Sequence, residues 1–323
     1  MCTAITLPGK DFLFGRTLDL EYTYGEEIVI TPRNFTLNFR HTAPLNKHLA
    51  IIGIAHVAEG YPLYYDAVNE AGLCIAGLNF SGFAKYGKVD QSKDNVACFE
   101  LIPKILALCS NMGDVRNLLQ SMQLTDTPFS SELPCAELHW IIADEKECIT
   151  LESTNDGLRI HENPVGVLTN NPPFEYQMYH LQNYMQVSAN PPENRFAPDL
   201  DLKPFSRGMG GIGLPGDLSS QSRFVRAAFT KFNSMRNEEN CVSQFFHIMD
   251  AVSQTKGCCR LEDGSTPITQ YTSCCNATRG IYYYTTYSNR RITAVALNNQ
   301  NLDTTELIRS PFLLEEDIIY INK

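Results

Sequence analysis

The sequence predicts an α+β fold in which two antiparallel β-sheets carry helices on their outer faces. Three observations lead there. Strand-like runs come in hairpin series separated by turn residues, rather than in β-α-β units. Helical patterns are grouped in blocks between those series. And 43% of the 323 residues are hydrophobic, which is ample for a large core. No Ser-, Gly- or Pro-rich linker and no long charge run divides the chain, so a single domain over 1–323 is expected.

The elements follow in order. CTAITL (2–7) and FLFGRTL (12–18) are β-branched and aromatic runs around Pro8-Gly9, a hairpin signature. EEIVITP (26–32), FTLNFR (35–40), HLAIIGIAHVA (48–58) and LCIAGLNF (73–80) continue as strands, with a turn at 69–72. Phe99, Ile102, Ile105, Leu106 and Cys109 share one helical face; Val115, Leu118, Leu119 and Met122 share another. Short strands return at 138–144, 148–153, 158–163 and 165–170, with Asp156-Gly157 as a turn. A helix is expected at roughly 174–186, and an irregular Pro- and Gly-rich stretch over 190–217. Ser residues cap a helix over 219–235, a second helix covers 242–254, and strands close the chain at 271–276, 280–288 and 291–297.

Composition excludes several functions. Lys and Arg number 26 against 36 Asp and Glu, and the net charge of -10 leaves no basic stripe for phosphates, so no nucleic-acid partner is expected. No run of 18 apolar residues is present, so no membrane-spanning helix is expected. The opening MCTAITLPGKDFLFGR lacks a basic leader and an apolar stretch before a cleavage site, which points to a cytoplasmic chain. Its NFT (34–36) and NAT (276–278) sequons would then go unused. The 11 cysteines are odd in number and scattered, as expected of free thiols used mainly as small buried hydrophobes. Neither Cys258-Cys259 nor the seven His residues have metal-ligand spacing, and no metal or organic cofactor is expected. GMGGIG (208–213) follows an irregular stretch instead of an apolar strand, so it lacks the context of a dinucleotide site. His139, next to Trp140 in an apolar run, reads as a hydrogen-bonded structural residue. Counting His residues does not by itself exclude a Cys-His protease.

The sharpest local feature is Cys2. A small residue at this position lets an aminopeptidase remove Met1, leaving a thiol and a free α-amine on one residue. A free α-amine has a reference pKa of about 7.7–8.0 and a free thiol one of about 8.5, so such a residue can supply a base and a nucleophile together near neutrality. Arg16 and Asp19 stand where the next strand gives way to a turn. If the first hairpin pairs as drawn, that strand end approaches Cys2, where Arg16 would stabilise a thiolate and Asp19 would orient the amine.

The motifs resemble those of the choloylglycine hydrolases, the bile salt hydrolases and penicillin V acylases among the N-terminal nucleophile hydrolases. The resemblance rests on MCTAIT with FGRTLD, YPLYYDAVNEAGLCIAGLNF (61–80), LHWIIAD (138–144) and NPVGVLTNNP (163–172). SRGMGGIGLPGDLSSQSRFVR (206–226) and YTSCCNATRGIYYYTTYSNRRI (271–292) extend it over the whole chain. It implies a four-layer αββα sandwich, a homotetramer and a linear amide substrate. It also implies site roles. Cys2 resembles the nucleophile, Arg16 the residue beside its sulfur, and Asp19 the holder of its α-amine. Asn79 resembles the oxyanion donor, Asn170 the residue positioning amine and substrate, and Arg223 the last polar member of the site. Asn79 leans toward conjugated bile salts, since penicillin V acylases often carry Tyr there; penicillin V remains the alternative substrate. A steroid-binding module without catalysis is the reading from another class. Leu18, Ile54, His56, Ala58, Phe80 and Phe129 are the expected neighbours of an apolar cleft. Preference between glycine and taurine conjugates stays open.

Overall fold

The computed structural model describes residues 1–235 and 241–322. Its strands are β1 (Cys2–Leu7), β2 (Leu13–Leu20), β3 (Glu27–Thr31), β4 (Ile51–Ala58), β5 (Tyr61–Asn69), β6 (Cys74–Asn79), β7 (Asp94–Ala97), β8 (Met122–Thr125), β9 (Leu138–Ala143), β10 (Cys148–Thr154), β11 (Gly157–Glu162), β12 (Val167–Leu168), β13 (Ile268–Asn276), β14 (Ile281–Thr286), β15 (Thr293–Ala296) and β16 (Ile308–Pro311). The helices are α1 (Leu101–Leu108), α2 (Met112–Ser121), α3 (Phe174–Leu181), α4 (Ser220–Asn233) and α5 (Cys241–Asp250).

Two large antiparallel sheets form the middle layers. One runs β12-β1-β2-β13-β14-β15, the other β11-β10-β9-β6-β5-β4-β3-β16. Period-2 alternation explains why both faces of the eight-stranded sheet are apolar. Ile28, Ile30, Ile52, Ile54, Ala76 and Leu78 point into the core shared with the six-stranded sheet. Their chain neighbours Val29, Ile51, Ala55 and Ile75 point the other way, onto α1 and α2, as do Trp140 and Ile142 on either side of the inward-facing Ile141. The six-stranded sheet is covered by α4 and α5, whose Phe224, Ala228, Phe245 and Ile248 are buried in the first cluster. A sheet with water on neither face needs helices outside, and the four-layer sandwich meets that need.

The expected hairpins form: β1 pairs with β2 around Pro8-Gly9, and β10 with β11 around Asp156-Gly157. Gly157, with φ of 95°, takes the left-handed conformation that the turn requires. Ser219 caps α4 by accepting from Ser222 N. The helix expected over 219–235 ends at Asn233, and the one expected over 242–254 ends at Asp250. Residues 190–217 are irregular apart from one 3-10 turn at Met209–Gly211.

Some expectations need correction. FTLNFR (35–40) is not a strand; it makes a single bridge between Leu37 and Leu45. Its neighbour β3 already has β4 on one side and β16 on the other, so β3 offers it no free edge. The strand expected over 165–170 pairs with β1 at Val167 and Leu168 only. Strand β5 does not stand out in the sequence because Pro62, Asp66 and Asn69 break its apolar pattern, yet it lies between β4 and β6. β16 and the short parallel pair β7-β8 also add to the expected set.

Candidate active site

Cys2 begins β1, in register with Leu18 of β2, and is 3% exposed. Its backbone N–H donates to Asn170 Oδ1 at 2.8 Å. That oxygen also accepts from Arg223 Nη2 at 2.7 Å, while Asn170 Nδ2 donates to the Asn79 carbonyl at 2.8 Å. Arg223 also reaches the Cys2 carbonyl and Thr3 Oγ1, at 2.5 and 2.7 Å. Residues from β1, β6, the segment after β12 and the first turn of α4 thus meet through one amide side chain.

The supports of Asn170 are local. Its N–H donates to Ser220 Oγ, at the start of α4, at 2.8 Å. Its carbonyl accepts from Gln177 Nε2 of α3 at 3.2 Å. The preceding Thr169 carbonyl lies 3.0 Å from His139 Nε2, and His139 Nδ1 lies 3.1 Å from Glu152 Oε1. Phe80 stacks on the His139 ring at 4.3 Å. His139 is therefore the structural histidine that the sequence suggests, and it holds the segment carrying Asn170 against β9. Glu152 also accepts from Phe174 N at 3.0 Å. Burial works against its charge, but the contact with His139 and the nearby His161, 3.5 Å away, hold the carboxyl down at about 2.

Arg16 and Asp19 do not lie at a turn. Both lie within β2 and are fully buried, because β1 and β13 pair along this strand on either side. Arg16 Nη1 donates to the Gly77 carbonyl at 2.7 Å and Nε to the Thr17 carbonyl at 3.1 Å, while Nη2 is buried with no hydrogen-bond partner. Burial disfavours the guanidinium charge, but nearby Cys2, Tyr271, Asp66 and Asp19 outweigh it and hold its pKa above the ordinary value. Asp19 accepts from Thr269 Oγ1 at 2.7 Å and Thr17 Oγ1 at 3.1 Å, and its backbone N–H donates to the Met1 carbonyl at 2.8 Å. Arg223, also deeply buried, is pushed down by burial, with Asp19 and Cys2 opposing. Asn79 is the exposed last residue of an otherwise buried β6.

Sequence reasoning missed Asp66. It is buried in β5 and accepts from Tyr271, Ser273 and Tyr282 on the opposing sheet. Burial pushes its carboxyl up, against Arg16 and those hydroxyls. The available signal was a lone acid inside the apolar run YYDAV, faced by hydroxyl-rich YTSCC and YYYTT.

An apolar cavity of about 310 Å³ is lined by Tyr24, His56, Leu63, Phe99, Phe129 and Leu138, among others. Gly77 and Tyr65, whose carbonyls face Arg16, also line it, so the guanidinium lies behind its wall. His56 and Phe129 border it as expected. Leu18 and Ile54 are instead packed in the core between the sheets, and Phe80 is buried on His139. Among the described residues no group of three or more His, Cys, Asp or Glu could hold a metal ion.

A profile of the linear amide C–N hydrolases, choloylglycine hydrolase family, matches residues 2–310. A bile salt hydrolase/transferase of Lactiplantibacillus plantarum is 52% identical over 324 residues, covering all of both chains. One of Clostridium perfringens is 36% identical over 314 residues, 95% of each chain. The crystal structure of the C2A mutant of the C. perfringens conjugated bile acid hydrolase covers 100% of both chains with a TM-score of 0.94 and 34% identity. A penicillin V acylase from Agrobacterium tumefaciens shares the fold, with a TM-score of 0.76, 17% identity and coverage of 96% and 90%.

Proposed function

This chain belongs to the choloylglycine hydrolase family of linear amide C–N hydrolases, and from that premise we propose that it hydrolyses glycine- or taurine-conjugated bile salts. The observation that carries the proposal is the convergence on Cys2: its nitrogen rests on Asn170 Oδ1, which Arg223 also holds. The acyl specificity is supported by the relatives' substrates and by an apolar cavity adjoining Arg16.

Removal of Met1 turns the Cys2 nitrogen into an α-amine already seated on Asn170, and releases the backbone of Asp19 that Met1 engages. The amine takes the thiol proton and the thiolate attacks the amide carbonyl. Negative charge then develops on the carbonyl oxygen, and the Asn79 side-chain amide donates to it. Arg16, with Nη2 still free to donate, balances charge near the sulfur. The protonated α-amine passes its proton to the departing glycine or taurine nitrogen, leaving a thioester on Cys2. The same amine then activates the water that releases the free bile acid. Arg223 and Asp19 orient the amine through Asn170 and the strand end. The relatives from L. plantarum and C. perfringens also bear the name transferase; a second amine in place of water would give that outcome from the same thioester.

The test combines an activity panel with intact-mass measurement. Purified protein lacking Met1 should release glycine or taurine from conjugated bile salts. Absence of turnover on both conjugates, with penicillin V cleaved readily, overturns the substrate reading.

By the same resemblance the working form is a cytoplasmic homotetramer with one domain per chain. Exposed Met185, Phe196 and Phe205, at 84%, 85% and 86%, support burial against another subunit. Sedimentation as a monomer at assay concentration would refute the tetramer. Among the described residues no helix is long and apolar enough to cross a membrane.

A further inference from the structure

The apolar cavity carries a second pair of sulfurs, unconnected with Cys2. Cys98 and Cys135 both line it. Cys98 follows β7 directly and is 3% exposed; Cys135 lies near the end of the 126–137 loop between β8 and β9 and is partly exposed. Their side chains are in hydrogen-bond contact. The backbone N–H groups of Phe99 and Ala136 also donate to the Cys98 sulfur, so the loop end is gathered around it. Tyr86 fixes that end, donating to the Ala136 carbonyl at 2.8 Å and accepting from Leu138 N at 2.9 Å.

We propose that Cys98 and Cys135 form a dithiol site that reacts with low-molecular-weight disulfides such as oxidised glutathione and closes into an intramolecular disulfide across the cavity wall. The two cysteines have distinct parts. The hydrogen bond from Cys98 lowers the Cys135 thiol from its ordinary range, while that bond and burial raise Cys98. The more accessible Cys135 therefore ionises first and attacks one sulfur of the disulfide, forming a mixed disulfide and releasing one thiolate. Cys98 then gives up its proton and attacks the Cys135 sulfur, and the second small thiol leaves. The protein loses two hydrogens, and one molecule of small disulfide is reduced to two thiols. Both thiols line one cavity wall and interact side chain to side chain, so the resolving attack is intramolecular.

Closure staples the 126–137 loop, which carries Phe129, to the wall formed by Cys98 and Phe99. If the cavity receives the acyl group, the staple changes substrate entry; that consequence rests on the proposed function, whereas the disulfide does not.

Full-length protein is incubated with oxidised glutathione, alkylated and digested with trypsin without reduction. Lys104 and Arg116 separate the two cysteines, so they leave on different peptides. The expected result is a linked Cys98–Cys135 peptide pair that dithiothreitol dissolves. In the Cys98→Ser variant a stable glutathione adduct on Cys135 should accumulate, because the resolving thiol is gone. A stable adduct on wild-type Cys135, or both thiols left alkylatable while other cysteines react, overturns the proposal. A several-fold rise in KM for a conjugated bile salt, reversed by dithiothreitol, supports the effect on entry. A linked pair with unchanged KM removes that effect and leaves the dithiol site standing.

Discussion

Replacing Glu152 by Gln should destabilise the protein by about 3 kcal/mol at pH 7. Glu152 is almost fully buried, contacts His139 at 3.1 Å and accepts from Phe174 N at 3.0 Å. Its carboxyl is held at about 2 instead of the ordinary 4.5, and each unit of pKa corresponds to about 1.4 kcal/mol. The folded state thus favours the carboxylate, so this stabilisation is fully present above pH 4.5 and is lost as pH falls from there toward 2. Gln keeps the shape but cannot carry the charge. Urea unfolding of wild type and Glu152→Gln, at matched protein concentration and at several pH values, reads the difference directly. The gap should be widest at neutral pH and narrow below pH 4.5. A gap under about 1 kcal/mol at pH 7, or one that ignores pH, would refute the reasoning. Because His139 links this carboxylate to Thr169, the variant should also lose activity through a looser Asn170, with kcat falling more than KM changes.

Cys2→Ser should reduce turnover by roughly 10²-fold or more with an unchanged circular dichroism spectrum, since a hydroxyl is far less ionised than a thiol near neutrality; near-wild-type rates would sink the thiolate role. Blocking Met1 removal should be equally damaging, and intact mass together with the same activity assay checks it. Asn170→Ala removes the acceptor shared by Cys2 N and Arg223 Nη2, and should cost about 1–3 kcal/mol of stability by leaving those two buried donors without it. Its kcat/KM should fall by about 10²-fold, through a misplaced nucleophile. Gly15→Ala would set a Cβ 2.1 Å from the Ser273 carbonyl oxygen, between β2 and β13. That contact is with backbone and cannot be relieved by a rotamer change, so a loss of about 3 kcal/mol or more, or failure to fold, is expected in thermal melts.

The sequence by itself determined which residues face inward. The unbroken apolar runs in EEIVITP and HLAIIGIAHVA mark strands buried on both faces, and the Pro8-Gly9 and Asp156-Gly157 turns set two hairpins. Cys2 at the head of an apolar strand, and His139 inside another, could be read from local pattern alone. The roles of Asn79, Asn170 and Arg223 came from motif likeness; nothing in their immediate surroundings separates them from turn residues or a helix surface charge. Only the tertiary structure decided that Arg223 is fully buried and bonded to Cys2 and Asn170, that Arg16 and Asp19 lie inside β2 instead of at its end, and that Asp66 faces three hydroxyls from the opposite sheet. It also decided that β16, not residues 35–40, takes the edge beside β3. The physical reason is common to these cases. Periodicity records whether a side chain meets water or core, a property of the strand or helix that carries it. Which partner satisfies a buried charge, and which segment fills a sheet edge, depends on competition among segments far apart in the chain, and that competition is settled only when they pack together.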